Sequence, residues 1–149
     1  MSEIELRRLV LSDYFRNYPE LLNLLSPTED KGFQSFMEQY SKIEMAGNIH
    51  IYVIEKNSLI VASGTIIIED KLIRNNGTVG HIEDIVVDSD NRGLGYGERM
   101  VNHLVGIAEV NGCYKVILNC KDGLTSFYER SGFSYNGAEM RKNLNISTS

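Results

Sequence analysis

An α+β fold, with a mixed, mainly antiparallel twisted sheet flanked by helices, is the class this sequence predicts. Two segments of helical periodicity precede residue 46, β-branched runs divided by tight-turn signals fill residues 49–87, and a helical stripe then separates two more strand-like runs. A helix between two strands of one sheet makes that pair parallel, which is why the sheet reads as mixed.

In chain order, residues 3–11 read as a first strand and Asp13 as a helix start after it. Residues 18–25 form a short helix, with Pro19 suited to its first turn and Pro27 stopping it. A longer helix runs over 31–45, with Phe33, Phe36, Met37, Tyr40 and Ile43 on its core face. Three antiparallel strands follow at 49–55, 58–69 and 78–87, joined by Lys56-Asn57 and by Asn75-Asn76-Gly77. The helix 95–111 carries Met100, Val101, Leu104, Val105 and Ala108 in one stripe and ends at Gly112. Residues 114–120 make another buried strand, Asp122 or Thr125 opens a short helix through Arg130, and residues 132–140 read as a final strand or hairpin.

A chain of 149 residues fits a single domain, residues 1–149, and 42% hydrophobic with 23% charged residues is a globular composition. The first ten residues carry Glu3, Glu5, Arg7 and Arg8, and no apolar run reaches membrane-spanning length, so a cytoplasmic protein with no membrane contact is expected. Cys113 and Cys120 lie outside any metal-ligand spacing and read as buried thiols; no metal is expected. A net charge of -5 argues against nucleic acid as a partner. An anionic ligand would have to be met locally, by a helix N-terminus or a few placed cations.

Such a device follows the strand that ends at Val87. The turn Arg92-Gly93-Leu94-Gly95-Tyr96-Gly97 opens an amphipathic helix, so unpaired N–H groups collect at the positive end of its dipole, beside Arg92. This suits a pyrophosphate; it also suits a tight strand-to-helix turn with no ligand. A Rossmann fingerprint would need glycine at Glu98, and a Walker A loop would need Gly-Lys-Ser/Thr. Just upstream, Glu83 and Asp84 are consecutive carboxylates in an apolar strand, and alternation places them on opposite faces of the sheet.

These residues carry a resemblance. Arg92-x-x-Gly95-x-Gly97 matches the signature of the Gcn5-related N-acetyltransferase superfamily, in which this turn holds coenzyme A. The segments Gly80-His81-Ile82-Glu83-Asp84-Ile85, Gly112-Cys113-Tyr114-Lys115 and Phe127-Tyr128-Glu129-Arg130-Ser131-Gly132-Phe133 resemble its eukaryotic glucosamine 6-phosphate N-acetyltransferase branch, closely over about residues 60–141. The resemblance implies the superfamily's fold and acetyl-CoA as cosubstrate, with acetyl passed directly to an amine. It implies that Arg92, Gly93, Leu94, Gly95, Tyr96 and Gly97 bind the pyrophosphate and that backbone groups of Ile85, Val86 and Val87 bind the pantetheine arm. Tyr128 would be the general acid at the leaving thiolate, and Glu83 and Asp84 would orient the sugar, with the amine proton leaving through water or one of these carboxylates.

For the sugar phosphate the same resemblance implies Lys71, Arg74 and Arg141, with Thr28 and Asn119 lining the sugar and a homodimer as the assembly. The chain departs from the branch at several places: Asp70 replaces a basic residue, Asn119 an aspartate, Leu124 an asparagine, and Leu94 and Glu98 two lysines beside the turn. His81 reads as structural rather than as a base. An acetyltransferase for another small amine, or a silent acetyl-CoA-binding module, stays open at this point.

Overall fold

The computed structural model describes residues 3–146. Five strands form one sheet in sequence order: β1 (Ile4–Arg8), β2 (Ile49–Lys56), β3 (Leu59–Asp70), β4 (Thr78–Val87) and β5 (Cys113–Ile117). The first three pairings are antiparallel. β4 and β5 are parallel, because helix α3 (Tyr96–Val110) carries the chain back between them. Helices α1 (Tyr18–Leu25) and α2 (Phe33–Ala46) lie between β1 and β2, and the short α4 (Thr125–Glu129) follows β5.

The sheet buries both faces, and strand alternation sends neighbouring residues to different cores. Ile54 joins Ile66, Ile82, Met100, Val101, Leu104 and Ala108 under α3, whereas Val53 joins Leu9, Tyr18, Leu21, Ile60 and Val86 under α1. Met100, Val101 and Leu104 are wholly buried, each contributing about 1.5–3 kcal/mol through burial. The stripe expected on this helix is therefore its core face, while the expected face of α2 is only half-buried.

The first strand stops short of residue 11 for an electrostatic reason. The Arg7 guanidinium makes two hydrogen bonds to Asp13, at 2.9 and 2.7 Å, and also donates to Glu55. Asp13, fully buried, accepts from the Val10 amide at 2.9 Å. It thus sits inside a 3-10 turn, Leu11–Phe15, instead of starting an α-helix. Two other expectations fail together. Residues 132–140 form no strand and are mostly exposed, and β5 leaves Tyr114, Lys115 and Ile117 exposed instead of being a buried strand. The cause is shared: β5 pairs on one side only, and the tail does not reach its outer edge within the chain. Cys120 is exposed and Cys113 half-buried, so neither is a fully buried thiol.

Among the described residues no helix is long and apolar enough to cross a membrane, and no group of three or more His, Cys, Asp or Glu residues is placed to hold a metal ion.

Candidate active site

The site begins where two parallel strands part. β4 and β5 pair from Thr78↔Cys113 to His81↔Ile117, and no further. From Ile82 to Val87 the β5-facing backbone groups of β4 have no strand partner, so the sheet opens into a V with Ile85, Val86 and Val87 along one wall. Counting on from His81↔Ile117 puts exposed Asn119 level with Glu83 on the other wall.

On its opposite edge β4 carries a bulge. Thr65 pairs with Glu83 but Ser63 with Val86, so three steps of β4 face two of β3. Asp84 absorbs the extra residue at φ 54°, in the left-handed region. Ile82 and Ile85 consequently pack on the same core, under α3, although strict alternation would separate them. This corrects the opposite-face expectation for the carboxylates. Glu83 alternates away from the α3 face, and Asp84 lies near enough to Tyr18, under α1, for its charge to raise that phenol. Both carboxylates are exposed. Gly64, opposite the bulge, has no room for a side chain, since a Cβ there would stand 2.7 Å from Ile85 Cδ1 and 2.8 Å from Met100 Cγ.

The glycine-rich turn forms the floor. Gly95 caps α3 at φ 84° with no side-chain hydrogen bond to the helix amides, and Arg99 N donates to Gly95 O at 3.0 Å as the first helical bond. The amides of Tyr96, Gly97 and Glu98 therefore lack intrahelical partners. Nothing lies within 4 Å of the Cβ positions of Gly93 or Gly95, so these two glycines face open space, and Arg92 is exposed without an ion-pair partner among the described residues. Open, uncapped amides beside an unpaired cation fit a pyrophosphate.

Phe127, the neighbour of Tyr128 on α4, keys that helix to the turn. A Cβ on Gly97 would meet Phe127 Cζ at 3.1 Å, so glycine lets the Phe127 ring settle on the first turn of α3. Tyr128 then packs edge-on against Phe127 and Phe133, with ring centroids 4.9 and 6.1 Å away. Burial pushes its phenol above the ordinary value, and the nearby Cys120 thiol adds to the rise. It is thus a protonated hydrogen-bond donor at neutral pH.

The remaining expected contacts are not assembled within one chain. Lys71 and Arg74 lie in the β3–β4 turn, beyond Thr78, and five residues of strand to Glu83 span about 17 Å. That exceeds the reach of a hexose phosphate. Lys71 is also paired with Glu69 at 3.3 Å, Glu69 Oε1 accepts from His81 Nε2 at 2.8 Å, and the Arg74 guanidinium sits 5.5 Å from the Tyr114 ring centroid. His81 is accordingly a partner of Glu69 in this pairing. Arg141 is bonded to Glu139 at 2.6 Å in the exposed tail. Thr28 is exposed in the α1–α2 loop, its amide donating to Asn23 Oδ1 at 2.8 Å. Two features escaped the sequence reading: the bulge, for which a glycine inside β3 was the available signal, and the contact of Lys56 with Asn91, which left none.

Residues 11–133 match the profile of the acetyltransferase (GNAT) family. The chain belongs to that family. It is 39% identical over 138 residues to glucosamine 6-phosphate N-acetyltransferase 1 of Oryza sativa subsp. japonica, covering 91% of this chain and 84% of the relative. It is 40% identical over 136 residues to the glucosamine 6-phosphate N-acetyltransferase of Candida albicans, covering 90% and 91%. The crystal structure of glucosamine-6-phosphate N-acetyltransferase from Arabidopsis thaliana superimposes with a TM-score of 0.93 at 37% identity, over 96% of this chain and 99% of that one. GNAT acetyltransferases use acetyl-CoA, and the open V, the uncapped turn and the protonated Tyr128 suit its pantetheine, pyrophosphate and thiol respectively.

Proposed function

We propose that this GNAT acetyltransferase passes acetyl from acetyl-CoA to the amine of D-glucosamine 6-phosphate. The products are N-acetyl-D-glucosamine 6-phosphate and coenzyme A, on the route to UDP-N-acetylglucosamine. The observation that carries the reading is the match to relatives of that name over 91% and 90% of the chain. Acetyl-CoA supplies an acyl group already activated as a thioester. The chain's own task is to hold donor and acceptor in line and to manage two protons.

Each residue of the V has a part in that task. Arg92 and the amides of residues 93–97 hold the pyrophosphate, while the unpaired backbone of Ile85, Val86 and Val87 holds the pantetheine arm as an added strand. Glu83 and Asp84, consecutive at the bulge, orient the amino sugar and draw the proton from its ammonium, directly or through water. Tyr128 donates a hydrogen bond to the departing sulfur; a thiol's ordinary pKa lies below that of a phenol, so full proton transfer is unnecessary.

The phosphate contacts require a second copy of the chain, and we propose a homodimer. Lys71 and Arg74 sit about 17 Å of strand away from the carboxylates they would serve. The outer edge of β5 is unpaired, with Tyr114 and Ile117 exposed, and the tail offers exposed Tyr135, Met140, Leu144 and Ile146. A partner docked there would cover both and bring its own cations across. Mixing Arg74→Ala with Asp84→Asn subunits then restores activity, because one hybrid site is intact; no restoration would place both residues in one chain's site.

The activity itself is tested by thiol release from acetyl-CoA with glucosamine 6-phosphate and with glucosamine. Release that requires the phosphorylated sugar is expected. Preference for an unphosphorylated amine would transfer the chain to another acceptor, and coenzyme A binding without turnover on any amine would make it a silent module.

A further inference from the structure

A polar relay runs underneath the pyrophosphate turn, outside the V. Lys56, the last residue of β2, donates from Nζ to Asn91 Oδ1 at 2.9 Å. Asn91 Nδ2 in turn donates to Asp88 Oδ2 at 2.9 Å, and the Asn91 amide donates to the Asp88 carbonyl, also at 2.9 Å. Asp88 is anchored to β3 by its amide, 2.8 Å from the Val61 carbonyl. The same Lys56 ammonium lies 5.5 Å from the ring centroid of Tyr96, a buried residue at the start of α3. One cation therefore touches the residue just before Arg92 and the residue just after Gly95.

We propose that Lys56 is a positioning residue for coenzyme A, bracing both ends of the turn so that its amides form a ready-made pyrophosphate cradle. The turn needs such a brace. Gly93, Gly95 and Gly97 give it much conformational freedom to lose, and nothing lies within 4 Å of the Cβ positions of the first two. A cradle left mobile must be ordered by each ligand that enters, which weakens binding; a cradle held in place avoids that cost. Lys56 is suited to hold it because its engagements are part-buried and charge-assisted, unlike those of a solvated surface lysine. The lysines missing beside the turn, where Leu94 and Glu98 stand, make this chain depend more on the geometry of its amides.

The inference rests on acetyl-CoA as donor and is independent of the acceptor. Its test is direct binding, by calorimetry for coenzyme A and by chemical-shift titration for pantetheine, which lacks the pyrophosphate. Lys56→Met keeps an apolar stem on Tyr96 and removes the ammonium. The position borders an open cleft of about 280 Å³ lined also by Asn17, Asn57, Asp90 and Asn91, so water replaces the lost group without collapse. Asn91→Ala retains the charge but cuts the relay, and serves equally if Lys56→Met is poorly folded.

Both variants should bind coenzyme A about five- to tenfold more weakly, the factor corresponding to the net worth of one ordinary hydrogen bond, with pantetheine affinity unchanged and melting temperature little altered. Lys56→Arg, able to reach Asn91 and stack on Tyr96, should restore most of the affinity. Unchanged coenzyme A binding in Lys56→Met would overturn the proposal, as would equal loss for coenzyme A and pantetheine. So would loss in Lys56→Met with full affinity in Asn91→Ala, since Lys56 would then act as a bare charge. A wild-type chain that binds no coenzyme A would instead remove the donor assignment, a separately recognisable result.

Discussion

Replacing Gly64 with alanine tests whether the bulge of β4 is set by packing from behind. The added methyl would stand 2.7 Å from Ile85 Cδ1, 2.8 Å from Met100 Cγ and 3.1 Å from Leu104 Cδ1, all closer than ordinary contact. Met100 and Leu104 are fully buried, so relief has to come by side chains leaving their wells or by β4 moving outward. Overpacking of this kind costs about 1–3 kcal/mol, or roughly 2–12 °C in melting temperature for a domain of this size. Ile85→Val deletes the nearest of the three obstructing atoms and by itself costs about 0.5–1.5 kcal/mol. Met100 is unbranched and yields more readily, so the double variant should be more stable than the sum of the singles by about 1 kcal/mol. Denaturant unfolding of all four proteins gives that coupling directly. Turnover is the second readout: Ile85 follows Asp84, so Gly64→Ala should lower kcat and the double variant should regain part of it. Additivity within about 0.5 kcal/mol, or an alanine variant as stable as wild type, would refute the argument that Gly64 sets the bulge.

Tyr128→Phe should lower kcat by about 10- to 100-fold while leaving coenzyme A affinity nearly intact, since only the hydrogen bond to the leaving sulfur is lost; equal loss of both, measured by steady-state kinetics and calorimetry, would make the residue structural. Tyr18 is buried and its phenol is pushed up to about 12 by burial, against an ordinary value of 10 in the unfolded chain. Below pH 10 both states hold the proton and its contribution is constant; from pH 10 to 12 the folded state alone retains it, so stability falls by about 1.4 kcal/mol per pH unit. Tyr18→Phe should lose that share of the alkaline slope in urea melts, and an unchanged slope would refute it. Arg7→Met leaves the fully buried Asp13 carboxylate with only the Val10 amide and the Arg16 guanidinium, 3.9 Å away, and should destabilise the fold by about 3 kcal/mol, at the lower end for a buried pair because these partners remain. A loss under 1 kcal/mol would show that water replaces the guanidinium.

What was legible in the sequence was local. The stripe Met100, Val101, Leu104, Ala108 predicts α3 and its buried face, and Asn75-Asn76-Gly77 predicts the turn into β4, although Arg74, Asn75 and Asn76 all take left-handed angles there. The first strand ran short because Arg7 reaches forward to Asp13, an ion pair that periodicity does not encode. The tail read as a strand from its residue types, but a strand also has to reach an edge to pair with, and residues 132–140 do not reach the open edge of β5 inside one chain.

The site divides along the same line. Arg92, Gly95 and Gly97 are contiguous, and contiguity is enough to make a helix N-terminus into an anion cradle. Glu83 and Asp84 were found for their chemistry but given the wrong geometry, because alternation holds only while each residue of β4 faces one of β3. Gly64 is what changes that count: without a side chain it admits Ile85 to the α3 core three residues after Ile82, and the residue left over is Asp84. The same bulge that upsets the sequence reading therefore takes Asp84 out of the α3 core and toward Tyr18, while Glu83 lies level with Asn119 across the V. A strictly regular β4 would have kept one of them beneath α3, where an unpaired carboxylate is costly. The irregularity is a requirement of placing both where an amine can reach them.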